Sequence, residues 1–235
     1  MDSNSARSLL GSLIERFLKP SKTIPYTPWR AESTWSIGLT SLHFFRIGIL
    51  IFGLTIFGIG DAFLIATNLG NSPWTVLAEG ISLNSPLNIG ASTFLVSAIV
   101  LLFWIPLRQK PGLGTITNIV VIAVAIEIGL DFIPNTENAF LKYFYIFFGI
   151  LLVGAGSALY ITCGLGTGPR DGLMTGLHYR TGIRVGRVRL MLEVSALLIG
   201  AALGGTLGIG TVLFALLIGQ SVAIWLGVVG RFTTK

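Results

Sequence analysis

The sequence predicts an all-α polytopic membrane protein. It reads as six transmembrane helices arranged as two inverted three-helix repeats, each with a short broken or re-entrant helix. Three observations predict this. Of 235 residues, 52% are hydrophobic and only 11% are charged, where a soluble domain carries about 25% charged residues. Six long apolar segments alternate with short polar loops, at 44–67, 89–107, 114–133, 142–163, 188–204 and 209–229. Finally, the glycine pattern of the first half recurs in the second at a fixed offset of 96 residues. A single cysteine, Cys163, excludes a disulfide scaffold, and the apolar content excludes disorder.

Residues 1–43 are the polar part and form an N-terminal extension. Leu9, Leu10, Leu13, Ile14 and Phe17 share one helical face, Arg7, Glu15, Arg16 and Lys19 decorate the rest, and Pro20 ends the pattern. This predicts a short amphipathic helix on the membrane surface. The stretch 24–35 holds Pro25, Pro28 and two tryptophans and reads as an irregular interfacial segment. No cleavable signal peptide is expected, because residues 1–20 lack a long apolar run.

Membrane repeat 1 covers 44–133 and membrane repeat 2 covers 142–229. Most of the apolar segments suffice to cross about 30 Å of hydrocarbon at 1.5 Å per residue. The fifth is short and charged at its start. Two further stretches, 73–84 and 169–180, are helix-like but too short and too polar to span. The net charge of +6 reads as topology rather than nucleic-acid binding. Arg7, Arg16, Lys19, Lys22 and Arg30 precede the first span, the loop 68–88 has no lysine or arginine, and Arg108 and Lys110 follow the second span. Lys142 alone marks the next loop. Arg170, Arg180, Arg184 and Arg187 crowd 164–187, and Arg231 and Lys235 close the chain. The alternation predicts cytoplasmic N- and C-termini, by the excess of basic residues in cytoplasmic loops.

The repeat is exact at its glycines. Gly53, Gly58, Gly60, Gly70, Gly80, Gly90, Gly112 and Gly114 are every glycine between 52 and 122. They pair without a gap with Gly149, Gly154, Gly156, Gly166, Gly176, Gly186, Gly208 and Gly210. Ala62 pairs with Ala158, Leu69 with Leu165, Pro73 with Pro169 and Thr115 with Thr211. Such self-similarity marks a duplication. Three spans per copy turn the second copy over in the membrane, an arrangement common in secondary transporters.

The run Gly164-Leu165-Gly166-Thr167-Gly168-Pro169-Arg170-Asp171-Gly172, followed by Gly182, Gly186, Arg189, Glu193, Gly204-Gly205 and Gly208-Ile209-Gly210-Thr211, resembles the hallmark of the YczE/YyaS/YitT group of bacterial integral membrane proteins. The resemblance covers roughly residues 44–228. It is closer to the YczE-like members, which lack the soluble C-terminal domain of the YitT-like ones. It implies a multi-pass protein of the bacterial inner membrane and carries no substrate with it. The first repeat departs from the hallmark at Asn71, Ser72, Trp74 and Thr75, where the second has Thr167, Gly168, Arg170 and Asp171. Any site is therefore asymmetric.

Candidate site residues follow from chemistry. Asn71, Ser72 and Pro73 in one copy, and Thr167, Pro169, Arg170 and Asp171 in the other, stand where a long helix ends and a short one begins. Glycine, a capping side chain and proline suit such a helix start, whose free N–H groups attract anions. As re-entrant helices the two would wall a central site; the alternative is a surface turn followed by an interfacial helix. Asp61 lies inside the first span, where an ionisable group marks a proton or cation site unless it snorkels outward. Arg189 and Glu193, an i,i+4 pair, form a candidate cytoplasmic gate or a structural network. Glu127 and Asp131 read as an interfacial pair, and His43 and His178 as isolated. No metal-ligand spacing, P-loop, dinucleotide fingerprint or catalytic triad is present, so neither an enzyme nor a cofactor is expected.

The expected function is a small secondary transporter or exporter of a small solute. Its alternative is a non-transporting accessory protein supporting an enzyme or transport complex. The lipid bilayer and the solute are the expected partners, a homo-oligomer or membrane complex is compatible with the sequence, and nucleic acid is not expected.

Overall fold

The computed structural model describes residues 19–21, 23–36, 38 and 40–233; the N-terminal amphipathic helix expected around residues 7–17 lies outside them. Nine α-helices occur among the described residues: α1 Ser41–Ile65, α2 Pro73–Leu83, α3 Ile89–Leu102, α4 Trp104–Leu107, α5 Leu113–Phe132, α6 Ala139–Thr162, α7 Pro169–Thr181, α8 Val185–Ala202 and α9 Ile209–Thr233. Local chemistry fixes the starts. Ser72 caps α2 with Pro73 at its first position, Asn88 caps α3, and Asn138 caps α6. Gly182, at φ +71°, ends α7.

Among the described residues, five helical stretches are long and apolar enough to cross a membrane: α1, α3 with α4 (Ile89–Leu107), α5, α6 and α9. Helix α8, at the place of the expected fifth span, begins three residues earlier than 188 and takes in Arg187 as well as Arg189 and Glu193, so it falls outside that apolar class. The irregular segment 24–35 caps one end of the bundle. The Thr27 hydroxyl donates to Thr162 O at 3.0 Å, Ala31 N to Cys163 O at 2.8 Å, and Trp35 Nε1 to Pro111 O at 2.8 Å. Arg46 is buried and donates to the carbonyls of Trp29 and Arg30.

Helix α1 packs on α5 and α6, and α6 packs on α9. The contacts recur at the 96-residue offset with the copies exchanged. A Cβ on Gly60 would stand 2.8 Å from Gly149 O, and one on Gly149 would stand 2.7 Å from Gly60 O. Gly58 meets Ala125 of α5, and its counterpart Gly154 meets Ser221 of α9, which is Ala125's counterpart. Gly210 N donates to Leu69 O at 2.8 Å, and Gly114 N donates to Leu165 O at 2.8 Å. Each loop before a short helix thus packs on the start of the other copy's last span. That turn requires Gly70 at φ +108° and Gly166 at φ +121°, conformations that a Cβ would strain. The short helices cross over likewise: Gly80 of α2 meets Leu203 at the end of α8, and Gly176 of α7 meets Leu107 at the end of α4.

One correspondence is missing. Helix α3 packs on α5, where the Glu127 carboxylate accepts from Gly90 N at 3.0 Å and a Cβ on Gly90 would lie 2.6 Å from Ala123 O. Among the described residues, helix α8 makes no comparable packing on α9, and Gly219, the counterpart of Ala123, has none of their atoms within 4 Å of the place its Cβ would occupy.

Candidate functional site

A cavity of about 190 Å³ lies between the two copies. Its walls are drawn in matched pairs at the 96-residue offset: Phe57 with Val153, Ser72 with Gly168, Trp74 with Arg170, Thr93 with Arg189, Ser97 with Glu193, Asn118 with Phe214, and Ile122 with Ile218. The cavity therefore sits where the two copies meet. The starts of α2 and α7 converge on it. The Arg170 guanidinium lies over the Trp74 ring, 5.2 Å from its centroid, in a cation–π contact between repeat-equivalent positions.

Phe57, Ile122, Val153, Phe214, Ile218 and Val222 of α1, α5, α6 and α9 make part of its lining apolar. Asn118 of α5, Ser157 and Tyr160 of α6, and side chains of α2, α3, α7 and α8 make the rest polar. Its charges nearly balance. Tyr160 OH donates to Asp171 Oδ2 at 3.2 Å, and Arg189 Nε stands 3.9 Å from Glu193 Oε1. Arg170 is different. Among the described residues its guanidinium makes no hydrogen bond and no close ion pair, although Asp61, Glu193 and Asp171 all act on its charge.

Asp61 does not line the cavity. It is 1% exposed and its Oδ1 has no hydrogen-bond partner among the described residues. It does not snorkel. Ser72, which lines the cavity, places its Oγ 2.7 Å from Thr75 Oγ1.

A family model matches residues 44–226, for a family of unknown function, DUF6198. The chain belongs to that family. An uncharacterized protein of Haemophilus influenzae (strain ATCC 51907 / DSM 11121 / KW20 / Rd) is 44% identical over 213 residues, covering 91% of this chain and 95% of the relative. The uncharacterized membrane protein YczE of Bacillus subtilis (strain 168) is 32% identical over 181 residues, 76% of this chain and 81% of its own length. The uncharacterized protein YyaS of the same organism is 28% identical over 192 residues, covering 80% and 93%. The YczE/YyaS resemblance is thereby established. No solved structure matches.

Of the residues singled out from sequence, the cavity gathers Ser72, Pro169, Arg170, Asp171, Arg189 and Glu193. Asn71, Pro73 and Thr167 lie outside its lining. Asn71 is buried and donates through Nδ2 to Glu79 Oε2 at 2.9 Å. Thr167 offers its carbonyl to Thr115 Oγ1 at 2.7 Å, and Pro169 its carbonyl to Trp104 Nε1 at 2.9 Å. Glu127, which the sequence places in an interfacial pair with Asp131, docks α3 on α5 through Gly90 N. Sequence reading passed over Trp74, Tyr160 and Glu79. Glu79 accepts from Asn71 and from both the backbone N and the hydroxyl of Thr206, at 2.9 and 2.7 Å, tying α2 to the turn before α9. As the one charge in an otherwise neutral helix, it carried a signal that could have been read.

Proposed function

We propose that the protein is a secondary transporter of a small solute, without enzymatic activity, in the bacterial inner membrane with both termini cytoplasmic. Its two three-span halves form an inverted repeat, and the central cavity is the solute site. Helix α8 serves as the sixth span. Its 18 residues extend about 27 Å at 1.5 Å per residue, and its Arg189 and Glu193 line the cavity. The short helices α2 and α7 enter from opposite sides and meet at Trp74 and Arg170.

The missing correspondence carries the reading. The packings of α1 on α5 and of α6 on α9, and those of α2 on α8 and of α7 on α3 and α4, recur with the copies exchanged, while α3 is docked on α5 and, among the described residues, α8 is not docked on α9. In an alternating transporter, exchanging the conformations of the halves produces the opposite state. The other state would have α8 docked on α9 and α3 released from α5.

Spin labels on Leu190→Cys/Leu216→Cys, and separately on Phe94→Cys/Val120→Cys, test this by dipolar distance measurement. All four positions are exposed and repeat-equivalent, and Cys163 is buried away from the label. Two populations are expected in membranes, with the short and long distances exchanged between the pairs. A single unchanging distance for each pair at pH 5.5 and 7.5 would overturn the reading.

A further inference from the structure

We infer that the cavity takes a small amphiphilic organic anion, a monocarboxylate with an apolar body. This deepens the transport reading and rests on it for the direction of use, though not for the binding itself.

Arg170 supplies the anion site. Its planar fork matches a carboxylate bidentately, it is held flat over Trp74, and it is the cavity-lining cation left without a hydrogen bond or close ion pair among the described residues. Arg189 is engaged with Glu193. The start of α7 lies beside Arg170 and that of α2 beside Trp74, so two helix dipoles add positive potential at the same place. The facing wall of Phe57, Ile122, Phe214 and Ile218 is apolar. It would bury a hydrocarbon or aromatic body and give nothing to an inorganic ion.

Around Arg170 stand Asp171 and Tyr160, hydrogen-bonded to each other.

The experiment is calorimetric titration of the purified full chain with benzoate at pH 7. Inorganic phosphate and benzylamine serve as comparison probes. Saturable benzoate binding is expected, with no binding of benzylamine and at least tenfold weaker binding of phosphate. Arg170→Gln should lose benzoate binding. Absence of benzoate binding, phosphate or benzylamine binding as tightly, or benzoate binding retained by a folded Arg170→Gln protein would each overturn the inference. Benzoate binding without exchange of the α8–α9 and α3–α5 distances would support this inference and remove the transport reading alone.

Discussion

Gly219→Leu separates the two states of the proposed cycle. In the state described, a side chain at 219 meets open space, and replacing a mid-helix glycine by leucine favours the helix by about 0.8 kcal/mol. Thermal stability should therefore hold or rise by roughly 2–4 °C per kcal/mol for a chain of this size. In the opposite state α8 would dock where α3 docks on α5, and there a Cβ on Gly90 would already lie 2.6 Å from Ala123 O. Ala123 itself is tolerated at that interface, so Gly219→Ala should behave as wild type. Leucine carries three further carbon atoms into the same gap. Overpacking of that kind costs about 1–3 kcal/mol, which depletes the docked state by about 5- to 150-fold at 1.4 kcal/mol per factor of ten. The assay is the short-distance fraction of the Leu190→Cys/Leu216→Cys pair, measured beside the melting temperature. A Gly219→Leu protein that melts normally and keeps its short-distance population refutes the docking argument. A variant that melts well below wild type refutes the claim that the site is open.

Three further outcomes are expected. Gly60→Ala should lower stability by about 1–2 kcal/mol in chemical unfolding, because its Cβ would press on the Gly149 carbonyl and Val153 N at 2.8 Å, backbone atoms that cannot rotate away; the overpacking cost outweighs the gain in helix propensity. Glu79→Ala should cost about 1.5–3 kcal/mol, since three hydrogen bonds to a charged acceptor are lost and Thr206 and Asn71 are left without it. Cys163 should resist maleimide at pH 8 until the protein unfolds. It is fully buried, and burial pushes its thiol up to about 12 against the opposing charge of Arg46, so the reactive thiolate is scarce as well as shielded; rapid labelling of native protein would contradict this.

The helices were legible because their signals are local. Apolar runs of span length, and the Gly-x-Ser-Pro and Gly-x-Gly-Pro starts of α2 and α7, require no knowledge of partners, and both short helices lie within a residue of where the sequence puts them. The glycine repeat was legible for the opposite reason. Backbone-to-backbone contacts such as Gly60 on Gly149 leave no room for a side chain, so the pattern persists in both copies. What the sequence hides is the pairing between positions far apart. Nothing local distinguishes Glu127, which holds α3 to α5, from an interfacial carboxylate, or tells that Arg46 folds inward onto the segment at 29–30.

The same distinction explains why the site is asymmetric while the scaffold is not. Where the copies press backbone on backbone, glycine is retained in both, because either half must fit the other. Where they face the cavity, the paired positions have diverged in charge: Trp74 against Arg170, Thr93 against Arg189 and Ser97 against Glu193. A symmetric cavity would place two guanidiniums, or none, at the centre. Two would repel each other and favour a doubly charged ion, and none would bind no anion at all. One Arg170 over the Trp74 that replaces its twin is the arrangement that offers a single carboxylate one guanidinium beside apolar side chains. Trp74→Arg, which restores the lost symmetry, should therefore raise phosphate binding relative to benzoate in the same titration, and an unchanged preference for benzoate would refute this.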